Sequence, residues 1–392
     1  PSLIFENIAR VRRLMDAVGY KGPIAVAGDC TKVHPRLAYS TDFGGHILGS
    51  TLPLDECQVD EIEDIENTIN SIHKAKAEAM QVRAILAKIP LPQYPPQVVA
   101  LLPTTGKDDA CGIHEQLMSL LHMAARLEIH IISFAGDGAA SELLSQCMMD
   151  HEASVTEPFT YSYPLYGIHL QAPVLKTGPL ISIMDPPHAR KTCRNQPQHG
   201  THTASLGVRF LVNKSLVDLQ KTGVSGLVTR DVVDVDKKDD GAARRIFHAT
   251  ALLAAVEEGQ QCTIRDSFEG IFVYLFVFGL LFDAWISREM DIQDHVLCAL
   301  RARFFLHIWK EHISALSKAY PDLYSTSRSF ISSPSFHIFN HLCDTLVLLA
   351  LIFTKEYPDQ PFCPWLLGTE FVEHFFGLAR MLSPDFAYAE LV

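Results

Sequence analysis

The sequence predicts an α/β fold in its first half and an all-helical block in its second, closed by one acidic helix. Short apolar runs alternate with helical stretches up to about residue 200, where the strand signals stop and long helical patterns take over. Three of the apolar runs, "IAVAGD", "IHIISFAGD" and "GPLISIMD", end on an aspartate. The carboxyl ends of strands in an open α/β sheet are where ligands gather, so these aspartates are the first candidates for chemistry.

The elements follow in order. "IAVAGD" (24–29) is a strand, and "LAYSTDFGGHILGST" (37–51) places β-type residues around a turn. The stretch 60–89 starts acidic and ends basic, as the helix dipole favours, and predicts one long helix stopped by "PLPQYPP". "QVVALLPT" (97–104) is a strand and "GIHEQLMSLLHMAARL" (112–127) an amphipathic helix. The strand 129–137 leads into a helix with Ser141 and Glu142 near its start, and 178–185 is the third aspartate-ended strand. Beyond residue 200, "SLGVRFLVNKSLVDL", "GAARRIFHATALLAAVEEG" and three longer apolar stretches read as helices. "LGTEFVEHFFGLARML" (367–382) is the last, with Thr369 as its cap. The domain boundaries this implies are 1–199, 200–360 and 361–392.

Composition narrows the function. The chain has 392 residues, 48% hydrophobic and 20% charged, an ordinary globular balance. Its net charge of -12 does not match a polyanion, so contact with nucleic acid needs a local basic patch, a metal or another part of the protein. The nine cysteines include no C-x-x-C pair, which argues against a zinc ribbon or disulfide framework and for a reducing compartment. No signal peptide is seen at the start, and Pro1 in place of methionine leads us to expect a preceding segment. The longest apolar run, 271–282, is too short to span a bilayer and is expected to be a buried helix, so no membrane partner is expected. None of the eighteen histidines forms an H-E-x-x-H pattern.

The carboxylates point to two-metal catalysis, in which two divalent ions ~4 Å apart hold the attacking and leaving oxygens of a phosphodiester. Hard ions such as Mg2+ or Mn2+ take oxygen ligands, and the carboxylates must come from different elements to converge. Asp29, Asp137 and Glu373 would do this if their strands are neighbours and the last helix packs across them. Each aspartate also suits a turn or helix cap. Glu373 also suits a plain surface position, and Glu370, three residues before it, competes for its place. In "SIMDPPHARKTCRN" (182–195) Asp185 ends a strand, and the prolines stop the ladder and start a helix. His188, Lys191 and Arg194 then share one face at i, i+3 spacing. That face suits a phosphate backbone, or is a solvated basic surface.

Together "FAGDGAASELL", "MDPPHARKTCRNQ" and "TEFVEHFFGLAR" resemble the RNase H-like transposases of the P-element and THAP-type superfamily, in forms seen in fungal genomes. The resemblance implies an RNase H-like mixed sheet flanked by helices, interrupted by a large all-helical insertion before the last catalytic helix. It implies Asp29, Asp137 and Glu373 as the catalytic, metal-holding (DDE) carboxylates. Asp185, His188 and Arg380 match supporting positions of the family's motifs. Thr369 and Glu370 stand where the family often has Gln-Asp. The implied partners are DNA, as transposon ends and target, and further copies of the chain, and the implied location is nuclear. Some members use a guanine nucleotide in the insertion. GTP is therefore implied by the resemblance alone, since no GxxxxGK(S/T) loop is present, and 231–245 is the polar stretch where it would be sought, or is an exposed charged linker into a helix. The implied activity is metal-dependent DNA cleavage and strand transfer. The alternatives are an inactive domesticated relic that binds DNA or protein, and a non-transposing RNase H-like nuclease.

Overall fold

The computed structural model describes residues 3–152, 157–199, 203–257 and 263–392. They form two compact units, Pro1–Ile183 with Asp359–Val392, and Met184–Pro358.

The first unit is built on a five-stranded sheet of β1 (Ile24–Lys32), β2 (Gln81–Lys88), β3 (Gln97–Thr104), β4 (Ile131–Gly136) and β5 (Ile181–Met184), in the order β5-β4-β1-β2-β3. The sheet is mixed: β1 runs antiparallel to β2 and parallel to β4, and β2 runs antiparallel to β3. β1 and β4 are buried almost throughout, as strands covered on both faces must be. Their near-continuous apolar runs are the sequence trace of that burial. On one face lie α1 (Phe5–Ala17) and α3 (Ala110–Arg126). Ile8, Val11 and Met15 of α1 and Leu117 and Leu120 of α3 pack with Ile24, Val26 and Phe134 of the sheet in one core. α4 (Ala140–Asp150) follows β4 and packs on α3.

The helix expected over 60–89 is two elements. α2 (Ile62–Ala75) begins with a Glu61/Asp64 capping box and ends at Lys76, which is in the left-handed conformation (φ 53°). No glycine marks this turn in the sequence. The residues after it form β2, enclosed between β1 and β3. Ala, Leu and Lys favour helices in isolation, but pairing on both edges overrides propensity. A strand buried on both faces also lacks the alternation that distinguishes it from a buried helix. A hairpin, Phe159–Tyr163 with Ile168–Ala172, turns through Gly167 at φ 61°.

The second unit is helical: α5 (Pro186–His199), α6 (Asn213–Lys221), α7 (Asp240–Ile246), α8 (Ala249–Leu253), α9 (Glu269–Ile286), α10 (Ile292–Ala319), α11 (Thr326–Ser329) and α12 (Ser333–Glu356). Its core is α9, α10 and α12. The Phe278 and Phe339 rings meet edge to face at 4.8 Å, and Trp285 Nε1 donates to the Leu342 carbonyl at 3.2 Å. Two sequence expectations are corrected here. "SLGVRFLVNKSLVDL" opens as a small hairpin, Ser205–Leu206 with Arg209–Phe210, turning at Gly207 (φ 60°), before α6 begins. "GAARRIFHATALLAAVEEG" breaks into α7 and α8, because His248 caps a new helix by accepting from the Thr250 N–H, and a short strand, Val256–Glu257, follows. Two helical stretches, Asp266–Ile286 and Ser333–Glu356, are long and apolar enough to cross a membrane. Each is 61% buried over its most apolar window, as core helices are. The apolar run counted from sequence stops at Asp283, whereas its helix carries on through a further turn.

The chain then returns to the first unit with α13 (Glu370–Leu382), which packs on β1 and β2, and ends with α14 (Tyr388–Leu391). The eight described cysteines are free thiols, and Cys262 lies outside the described residues.

Candidate functional site

The register of β1 and β4 brings two of the sequence-selected aspartates together. Ala27 pairs with Ala135 in parallel, so Asp29 and Asp137, each two residues further on, stand level with each other; β4 has ended at Gly136, whereas β1 runs on past the expected stop at Asp29 to Lys32 because its far edge stays paired with β2. Both line one cavity of about 360 Å³, with Asp108, Lys32, Ser141 and Glu142 also in its wall. Asp29 Oδ1 accepts from the Cys30 N–H at 2.7 Å. Asp137 Oδ1 accepts from the Ala139 N–H at 2.9 Å, across Gly138 in the left-handed region (φ 84°). The turn-forming role of Asp137 and its place in the cavity therefore coexist.

Beneath the two aspartates lies a buried ion pair. Arg83 of β2 is 1% exposed and Glu142 of α4 is 5% exposed, and Arg83 Nη1 donates to Glu142 Oε1. Burial works to lower the Arg83 pKa, but the Glu142 carboxylate more than offsets it and holds the guanidinium above its ordinary value. The pair explains why both aspartates follow a glycine. A Cβ on Gly28 would meet Arg83 Nη2 at 3.0 Å, and one on Gly136 would meet Glu142 Oε2 at 3.1 Å. The side-chain space of both glycines is filled by the pair. Cys30, opposite Arg83 in the β1–β2 register, has its thiol pushed up to about 12 by burial, so it stays protonated at neutral pH.

α13 supplies the remaining candidates of this unit. Phe371, Val372 and Phe376 are buried and seat the helix. Arg380 Nη2 donates to Thr31 Oγ1, on the same face of β1 as Asp29 by strand alternation. Beyond the helix, His34 bridges Ala387 and Tyr388 Oη donates to the Leu101 carbonyl at 2.9 Å, which pins the helix's far end to the sheet. Glu373 lies two turns before Arg380 on the same helix side, about 10.5 Å back along the axis. It is exposed and stands outside the cavity lining. Glu370 is exposed and faces His374 Nε2 at 3.8 Å. Thr369 occupies the N-cap position, buried, without a side-chain hydrogen bond to the helix. Among the described residues no three His, Cys, Asp or Glu side chains stand close enough together to hold a metal ion.

In fold, the chain is similar to a transposase. A solved structure of the Drosophila P element transposase strand transfer complex matches it with a TM-score of 0.60 and 13% identity, covering 97% of this chain and 78% of that one. At this identity the likeness is one of fold. No protein-family model and no curated protein matches the chain.

In the second unit, the residues selected from "DPPHARKTCRN" have internal partners. Asp185 is 2% exposed and caps α5, its Oδ2 accepting from the His188 N–H at 2.8 Å. Arg194 is 0% exposed and donates to the Asp236 and Asp239 carbonyls at 2.9 Å each. Asn195 Oδ1 accepts from Arg194 Nη2 at 3.0 Å, and Gln198 Nε2 donates to the Asp231 carbonyl at 2.7 Å. Lys191 pairs with Asp240 at 3.3 Å, and His188 is exposed. The shared face expected of His188, Lys191 and Arg194 is therefore divided: Arg194 braces the segment before α7, and the helix start alone faces outward. In that segment Asp231 is buried and accepts from Arg245 Nε at 2.7 Å, while Asp239 caps α7.

Sequence reasoning missed Arg83 and Asp108. Arg83 was hidden because β2 read as helix. Asp108, whose Oδ1 accepts from Thr104 Oγ1 at 2.7 Å, follows β3 in a polar turn that carries no motif. The signal for Arg83 was the glycine before each aspartate, which requires something bulky behind both.

Proposed function

We propose that this chain is a transposase-type catalytic domain with an RNase H-like fold, which cuts and joins DNA strands by metal-dependent phosphoryl transfer. The observation that carries the reading is the meeting of Asp29 and Asp137 in one cavity, level with each other on parallel neighbours, in a fold similar to a P element transposase. The donor set suits a hard divalent cation, Mg2+ or Mn2+. Its oxygens come from carboxylates, the nearby thiol stays protonated, and Arg83 has its charge balanced by Glu142. Asp29 and Asp137 would hold the metal, and Glu373, on the helix that packs against β1, is the proposed third carboxylate. A bound cation would stabilise charge on the phosphodiester oxygens and lower the pKa of an attacking water or 3′-hydroxyl. Lys32, exposed at the cavity wall, would meet a DNA phosphate. In this reading the protein works on transposon ends and target DNA, as a multimer, in the nucleus. In the stretch where GTP was expected, Asp231, Asp239 and Asp240 are engaged within the unit, while Lys237, Lys238 and Arg244 are exposed.

A second reading, an inactive relic that binds DNA or protein, is favoured by the exposure of Glu373 outside the cavity lining. The two separate in one assay: joining of an oligonucleotide 3′-end to supercoiled plasmid by the full chain with Mn2+. Removing a ligand that contributes several kcal/mol should lower the rate at least ~100-fold, so Asp137→Asn is expected to abolish joining. Wild-type protein that neither nicks nor joins, while still binding the DNA, would favour the relic.

A further inference from the structure

The Arg83–Glu142 pair has no assigned role in the chemistry above, yet it fills the side-chain space of Gly28 and Gly136, the residues before the two candidate ligands. We infer that Arg83 and Glu142 are positioning residues, which fix the two Gly-Asp steps and thereby the separation of Asp29 and Asp137. The inference rests on the metal-dependent reading of that cavity.

Three observations support it. The pair ties together the elements on either side of the site: Arg83 belongs to β2, which pairs with β1, and Glu142 to the first turn of α4, which follows β4. It fills the side-chain positions of Gly28 and Gly136, the residues directly before the two aspartates, at 3.0 and 3.1 Å from where each Cβ would be. A guanidinium or carboxylate displaced toward either glycine would press on the backbone that aims Asp29 or Asp137. Finally, Arg83 Nε and Glu142 Oε2 have no hydrogen-bond partner, so the pair is poorly satisfied as a stability element. Apolar residues of similar size often stabilise a core as well as a buried ion pair does. A planar guanidinium against a carboxylate supplies direction, which apolar packing does not. The pairing also neutralises Glu142, which keeps a third cavity carboxylate from drawing a cation away from the aspartates.

Supporting residues of this kind typically change metal affinity 10–100-fold. The test is a Mn2+ titration of the full chain, followed by the electron paramagnetic resonance of free Mn2+, with thermal unfolding as the check on folding. The variants are the charge-free pair Arg83→Met with Glu142→Leu, the conservative Arg83→Lys, and the ligand variants Asp29→Asn and Asp137→Asn. The charge-free pair should fold and bind Mn2+ at least ~10-fold more weakly than wild type, with Arg83→Lys between the two. Wild-type affinity in a folded charge-free pair overturns the inference. If that variant does not fold, Arg83→Lys decides alone: weakened binding supports positioning and unchanged binding overturns it. If Mn2+ binding is indifferent to Asp29→Asn and Asp137→Asn, the metal reading fails and the inference fails with it.

Discussion

Two polar clusters of this chain look alike in sequence and differ in what they do with their polar groups. In the first unit, Asp29 within β1 and Asp137 just past β4 stand level on neighbouring strands and face a cavity, while their support, Arg83 with Glu142, is buried behind them. In the second, Asp185 stands just past β5, but its carboxylate closes the first turn of α5, and Arg194 reaches the backbone carbonyls of a distant segment. An aspartate closing an apolar run has the same appearance in both. What separates them is the backbone that follows: Asp29 is continued by strand and Asp137 by a turn through Gly138, which leaves both carboxylates beside the cavity, while a proline-started helix presents N–H donors that engage Asp185. The basic residues follow the same logic. An arginine becomes a brace when carbonyls of a folded turn lie within its reach, and those carbonyls leave no trace in the sequence.

Substitutions can break or sharpen this contrast. The largest effect is expected where a charge would be stranded. Glu142→Ala leaves Arg83 buried without its partner and should cost about 3–5 kcal/mol in urea unfolding. Arg194→Leu removes one donor from each of two carbonyls that keep a backbone partner, at about 0.5–1.5 kcal/mol each. Equal, negligible losses at both positions would erase the distinction between pair and brace. Smaller but more telling is the comparison of the two aspartates. Asp185→Ala should lose about 1 kcal/mol, the usual value of a helix cap. Asp29→Asn in metal-free buffer should stay within about 0.5 kcal/mol of wild type, as changes away from structural features do. A destabilisation by Asp29→Asn as large as that of Asp185→Ala would make Asp29 a structural residue too.

Much of this arrangement was legible in the sequence. The aspartate-ended runs became β1, β4 and β5, "QVVALLPT" became β3, and the final acidic helix became α13. These elements are apolar runs with clear stops or amphipathic stretches with clear faces. β2 was not legible, because its residues favour helix locally and become a strand only between two partners. The cost of that misreading was Arg83, and with it the reason for Gly28 and Gly136. Convergence of the acids was half legible. Parallel neighbours bring Asp29 and Asp137 together by topology alone, whereas the place of Glu373 depends on how α13 sits on the sheet, which helical periodicity does not encode.

The central claim is that Asp29 and Asp137 share a divalent cation. Its most direct test is anomalous scattering from crystals of the full chain grown with Mn2+. The account predicts a Mn2+ peak in the β1–β4 cavity, within ligand distance of both carboxylates, that is lost in Asp137→Asn. A map with Mn2+ bound elsewhere and none between these two aspartates would contradict it.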